Sequence, residues 1–194
     1  DREGVSTADV GLKMGIRSTA TGEVNFKDVR VPLTNLVGEE NRGFYQVLEF
    51  FDESRITIGA QALGIAECAY DRTLAYVKER EQFGQKIGQF QVTQHKLADM
   101  ATKIEASKLL VYKAAWNFDQ GNIDAALTSM AKMYAGRTAV EVADEAIQLH
   151  GGDGYITEYE VERIYRDAKI TEIYEGTKEI QKNTIAGSIL GRIK

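Results

Sequence analysis

Four short stretches hold the residues whose types and spacing could do chemistry. In "KITEIYEGTKEI", residues 169–180, Glu175 stands between Tyr174 and Gly176 where a polar stretch gives way to a new helix. A glutamate at a helix start can be no more than a charge that the helix dipole favours. The same carboxylate, partly desolvated by its aromatic neighbour, would have its pKa raised toward neutrality, where it can accept and keep a carbon-bound proton. Gly176, without a side chain, would let a flat cofactor or substrate approach the backbone. In "REQFGQ", residues 80–85, Arg80 reads as a basic residue near a helix end followed by a glycine stop. It equally offers a planar fork of donors suited to phosphate, with Phe83 as a surface for a flat ring.

In "QLHGGDGY", residues 148–155, a glycine pair ends a helix or turns its amides, at Gly151 and Gly152, toward a phosphate. No "GK[ST]" follows, so it is not a P-loop, and Asp153 lacks the further oxygen ligands of a calcium loop. His150 reads as a packed or hydrogen-bonded histidine. In "FDESR", Asp52 and Arg55 stand one helical turn apart, the spacing of an intrahelical ion pair. Arg55 interrupts an apolar face, so it should point into packed structure or at a ligand and have a partner there.

Long helices must position these residues. The single proline, Pro32, divides two textures. Before it, "GEVNFKDVRVP" alternates Val24, Phe26 and then Val29, Val31 with polar neighbours, the pattern of short half-buried strands. Two or three such strands cannot bury both faces of a sheet, so residues 1–38 are expected to be the tail of a β-domain whose body lies upstream. After Pro32 nothing forbids long helices. Phe44, Leu48, Phe51, Ile58, Ala62, Ile65, Ala69 and Tyr76 trace one face of a helix over about 42–80. Leu97, Met100, Ala101, Ile104, Val111, Ala115 and Phe118 trace a second over about 90–119. Met130, Met133, Val140, Ala143 and Ile147 trace a third over about 123–150, and Thr177 offers a cap for a fourth over about 178–190. Short links between long helices predict a bundle with antiparallel neighbours over 42–190.

Composition narrows the function classes. The 194 residues are 43% hydrophobic and 27% charged, an ordinary globular balance, and the net charge of −5 gives no basic field for nucleic acid. The run "ITIGAQALGIA", residues 56–66, is far short of the roughly 20 residues of a membrane span. Cys68 is the only cysteine, which rules out an intramolecular disulfide and suits a reducing cytoplasm or organelle matrix. With His95 and His150 as the only histidines, no metal site is expected.

Taken together, the stretches resemble the acyl-CoA dehydrogenase flavoproteins. "RxxFG" at 80–84, "QLHGGDGY" at 148–155 and "RDAKITEIYEGTKEIQ" at 166–181 occur in that family's order and spacing. The resemblance implies a mainly α fold: a C-terminal four-helix bundle of the acyl-CoA dehydrogenase type, residues 39–194, preceded by the last strands of a truncated middle β-domain, residues 1–38. It implies FAD as cofactor and an acyl-CoA thioester as substrate. Glu175 matches the catalytic base that removes the α-proton while the β-hydrogen leaves as hydride to the flavin N5, giving a trans-2-enoyl-CoA. Thr177 and Glu179 match positions beside the flavin and its adenosine portion. Arg80, Phe83, Gln148 and Gly152 match positions that hold the FAD of a neighbouring subunit. Asp52 and Arg55 match positions near the CoA and acyl-thioester end, where Tyr174 and Gly176 also line the substrate. Some relatives carry the base immediately before the arginine that Arg55 matches. Here that position is Ser54, and Glu53, about 100° away around the helix, reads as a surface charge.

"AQALGIAE" at 60–67 and "KLADMA" at 96–101 look most like the short-chain, butyryl-type members. The family further implies an electron-transferring flavoprotein as partner, a homotetramer built as a dimer of dimers, and a bacterial or archaeal cytoplasm or a mitochondrial matrix. An acyl-CoA oxidase is the second enzyme reading. The third is an oligomerising helical module that does not bind FAD unaided.

Overall fold

A computed structural model of the chain describes residues 2–191. Two strands, β1 (Val5–Asp9) and β2 (Gly22–Phe26), pair antiparallel with Val5 opposite Phe26 and Asp9 opposite Gly22. The alternation in "GEVNF" does make a strand, but not a half-buried one. Val24 and Phe26 are 54% and 71% exposed, because nothing among the described residues covers either face. Val29 and Val31 lie beyond the strand. The tail is tied to the rest through the segment between its strands: Ile16 N donates to Asp167 Oδ1 at 2.6 Å and Arg166 Nη1 donates to Met14 O at 2.7 Å.

The remainder is helical. The long elements are α1 (Gly43–Glu79), α2 (Gln91–Asp119), α3 (Ala125–His150) and, after the short α4 (Val161–Ala168), α5 (Lys178–Leu190). Their ends follow local chemistry. Asp124 caps α3, its Oδ1 accepting from the amides of Ala126 and Leu127 at 3.0 Å each, and Gly151, with a φ of +60°, closes it. Thr177 precedes α5 in the cap position, yet its side chain makes no capping bond. Between α1 and α2 lies a two-residue hairpin, β3 (Glu81–Gln82) with β4 (Gln85–Lys86), where the sequence suggested a simple glycine stop.

Helix directions follow from side-chain pairings. Lys96 pairs with Glu145 and Lys103 with Glu141, so α2 and α3 run antiparallel. Gly59 abuts Ala131 and Lys132 while Tyr76 stacks on His150, so α1 and α3 run parallel. The expectation of antiparallel neighbours thus holds for α1 with α2 and for α2 with α3, and fails for α1 with α3. Small residues make its close packing possible: Ala62, Ala66 and Ala69 of α1 and Ala131, Ala135, Ala139, Ala143 and Ala146 of α3 are all fully buried. The buried face of α3 is therefore rotated from the one traced through Met130 and Met133, which lie half-buried at its flank. The first turns of α1 also depart from the reading, since Phe44 and Leu48 are exposed.

Candidate active site

Glu175 sits in the turn that links the 3-10 segment Lys169–Glu172 to α5. Its φ is +53° and that of Gly176 is +94°, two successive left-handed residues. Glycine serves the second; a Cβ there would lie 2.7 Å from Gln181 Nε2. The glycine is thus required by its own backbone and by the side chain packed beneath it, not by an approaching ligand alone. Gln181, fully buried, donates to the carbonyls of Glu175 and Gly176 at 2.9 and 3.0 Å. Lys132 of α3, 1% exposed, donates to the same Gly176 carbonyl at 2.7 Å.

The carboxylate of Glu175 is directed at α1, where its Oε2 accepts from Ser54 Oγ at 2.7 Å. Arg55, next in the chain, is buried and donates to Asp52 Oδ1 at 3.1 Å, the pairing expected from their spacing. Burial raises the Asp52 carboxyl above its ordinary value, against the pull of Arg55. Burial, helped by the charge of Arg55, pushes the Lys132 ammonium down to about 8, while Glu175 and Glu172 act in the opposite direction. Tyr174 donates its hydroxyl to Gln61 Oε1, and burial raises it too. Glu53 is exposed.

Asp52, Arg55, Tyr174, Glu175 and Gly176 are therefore brought together. A carboxylate that accepts a single hydroxyl donor keeps free lone pairs for a proton. Thr177 follows directly. Glu179 is exposed on the first turn of α5, its carboxyl held low by its own backbone amide and by Thr177. Next to Tyr174 lies a mainly apolar cavity of about 490 Å3, lined by Met14, Ile16, Ile170 and Ile173 with Lys13, Arg166 and Lys169 as charged members.

A second group of predicted residues lies elsewhere. At the hairpin tip Phe83 and Gly84 both have positive φ, +53° and +78°, the pattern of a type I′ turn. Phe83 is 94% exposed, a ring presented to solvent on a backbone that bulky residues seldom adopt. Arg80, half-exposed, is 3.9 Å from Asp153 Oδ2, which also accepts from Tyr76 Oη at 2.7 Å. Tyr76 stacks on buried His150 at 4.2 Å between centroids, and the His150 Nδ1 meets the Ala146 carbonyl at 2.7 Å. Burial raises the Tyr76 phenol to about 12. Gln148 and Gly152 are exposed beside this group, but the Gly151 amide is engaged by the Gln148 carbonyl and does not face outward as a phosphate donor. Ser54 and Arg80 stand on one continuous helix, and its rise separates them by about 39 Å. One chain cannot bring Arg80 to the Glu175 pocket.

Ser54 as the partner of Glu175, and Lys132 and Gln181 beneath its turn, were not singled out in the sequence. Lys132 alone left a signal there, a lysine on the face that carries Ala131, Ala135 and Ala139.

A family model, that of the acyl-CoA dehydrogenase C-terminal domain, matches residues 41–190. The chain is 47% identical over 190 residues to the cyclohexane-1-carbonyl-CoA dehydrogenase of Geobacter metallireducens, covering 98% of this chain and 50% of that protein. It is 45% identical over 188 residues to subunit CarC of the caffeyl-CoA reductase-Etf complex of Acetobacterium woodii, covering 97% and 50%. Butyryl-CoA dehydrogenase from Megasphaera elsdenii superposes with a TM-score of 0.95 at 44% identity, over 97% of this chain and 49% of that one. The chain spans about half the length of the relatives it matches.

Proposed function

The chain belongs to the acyl-CoA dehydrogenase family, and from that premise we propose that it is the C-terminal part of an FAD-dependent enzyme that dehydrogenates an acyl-CoA thioester between its α and β carbons. On this reading residues 1–38 complete a middle β-domain and residues 39–194 form the helical domain. Glu175 is the base, and the observation that carries the assignment is its carboxylate, held by Ser54 Oγ beside the buried Arg55. A thioester α-proton is only mildly acidic, so the acceptor must be held close and in its ionised form while the substrate carbonyl takes up charge. Ser54 orients the acceptor oxygen, and Lys132 holds the carbonyl of the turn that carries it. Asp52 fixes the Arg55 guanidinium, and Tyr174 and Gly176 border the substrate.

The residues fit a flavin dinucleotide. A mainly apolar cavity adjoins Tyr174, and Arg80 with the exposed Phe83 ring offers a phosphate fork and a stacking surface. Bound FAD supplies the acceptor for the β-hydride. Thr177 and Glu179 would hold the FAD of their own subunit. The 39 Å separation supports assigning Arg80, Phe83, Gln148 and Gly152 to the FAD of another subunit, as in a tetramer built from dimers. Butyryl-CoA and the Etf complex in the names of relatives support a short acyl chain and an electron-transferring flavoprotein as partner, in a bacterial cytoplasm.

The test is Glu175→Gln in the full-length, FAD-loaded enzyme. The change keeps the shape and removes the proton acceptor. FAD and acyl-CoA should still bind, while anaerobic bleaching of the flavin by butyryl-CoA slows by roughly 10²–10⁴-fold or more. Near-parental bleaching would sink the assignment.

A further inference from the structure

We propose that Lys132 is a positioning residue for Glu175, its ammonium fixing the Gly176 carbonyl so that the carboxylate stays in register with the substrate. This rests on Glu175 being the base. Three observations converge on it. Glu175 and Gly176 occupy consecutive left-handed conformations, a strained turn that persists only where its surroundings over-determine it. The carbonyls of that turn are gripped from below by two side chains that solvent does not reach, Lys132 and Gln181. Gln181 already holds both carbonyls, so a neutral support exists, and the lysine adds a charge.

A buried lysine is a costly way to make one hydrogen bond, since its charge must be desolvated. It is worth having where the charge itself is used. The charged groups around Lys132 are Arg55, paired with Asp52, from α1 and Glu172 from the 3-10 segment before the turn, with Glu175 itself. The α5 side contributes the neutral Gln181. From α3, Arg137 stands 4.0 Å from Glu172, which Lys169 also engages. Glu172 is thus shared among cations, and the ammonium acts on the turn and on Glu175. Burial brings Lys132 to about 8, so its charge is lost within an accessible pH range.

The experiment compares the parent enzyme with Lys132→Met and Lys132→Arg, all full-length and FAD-loaded, by the rate of butyryl-CoA α-proton exchange with deuterated water against pH. Flavin bleaching is followed in parallel. Removing the cation with Met should slow exchange about tenfold at neutral pH, as loosened positioning does, with FAD content and KM kept. Arg should restore exchange at neutral pH, because it supplies a cation to the Gly176 carbonyl. In the parent, exchange should fall as pH rises through about 8, and in the Arg variant this fall should be absent, because the guanidinium stays charged.

A folded Met variant with the parental exchange rate at neutral pH would overturn the proposal. So would a parent whose exchange stays level from pH 7 to pH 10, a measurement that needs no variant to fold. Parental exchange in Glu175→Gln would instead remove the underlying assignment, whereas an inactive Glu175→Gln beside a parental Lys132→Met would remove only this one.

Discussion

Each candidate site is built around one non-glycine residue in a left-handed conformation, Glu175 at one and Phe83 at the other. Such a residue costs on the order of 1–3 kcal/mol and is kept only by strong surroundings. At Glu175 these are Gln181, Lys132 and Ser54; at Phe83 they are the two strand residues on either side of a tight turn. His150 supports the second site from beneath, since its ring carries Tyr76, whose hydroxyl holds Asp153 next to Arg80. Burial lowers the His150 pKa, with the Ala146 carbonyl and Asp153 opposing. The sign follows from linkage. The unfolded chain takes up the proton first, near pH 6.5, so the stability of the native state is full above that value and is lost as pH falls through the depressed native pKa. Each unit of depression is worth up to about 1.4 kcal/mol. Urea unfolding between pH 5 and pH 8 should therefore show a loss on the acid side that His150→Gln lacks, and equal acid slopes in the two proteins would contradict it.

Among the helices, the parallel pair α1 and α3 sets the geometry that places Ser54 against Glu175. Its alanines leave no room for larger side chains. Ala139→Leu should destabilise the protein by about 1–3 kcal/mol through overpacking. A domain of this size then loses about 2–4 °C of Tm per kcal/mol, readable by calorimetry, and an unchanged Tm would mean that the two helices can separate. These alanines also show why part of the fold could be read in the sequence and part could not. Helix ends were legible to within two residues, because a proline-free stretch with apolar periodicity and the glycine pair at 151–152 are local signals. The buried face of α3 was not, since alanine adds little to an apolar stripe and Met130 and Met133 outweigh it. "VERIYRDA" hid α4 because its charges, paired as Glu162–Arg166 and Arg163–Asp167, dominate its short apolar pattern. At the candidate site the Asp52–Arg55 pair was legible from its one-turn spacing. The bond from Ser54 to Glu175 joins residues far apart in sequence, which only the fold brings together.

On the scale of the whole molecule, the helices act as a rigid spacer that carries two unlike surfaces about 39 Å apart along α1. One is a turn with a held carboxylate; the other is a hairpin that presents an almost fully exposed phenylalanine and a half-exposed arginine. Within the chain the second surface gains little, because an exposed ring on a strained backbone costs free energy that an edge-on approach to Phe90, 6.4 Å between centroids, only partly offsets. A partner that covers the hairpin does repay it, and a dinucleotide held between two copies would use both the ring and the guanidinium. Asp153, 3.9 Å from Arg80, holds the guanidinium only loosely, so a phosphate can take it over. Arg80→Ala in the full-length enzyme should then weaken FAD retention by about 1.5–3 kcal/mol, the loss expected for a hydrogen bond to a charged group. That is roughly a ten- to hundredfold rise in the FAD dissociation constant, measured by flavin fluorescence on dilution. Active sites that still hold FAD should exchange the butyryl-CoA α-proton at the parental rate, since Glu175 is untouched and far away. Parental FAD affinity in the variant would detach the hairpin from cofactor binding, and slower exchange in sites that retain FAD would mean that the two surfaces are coupled through α1.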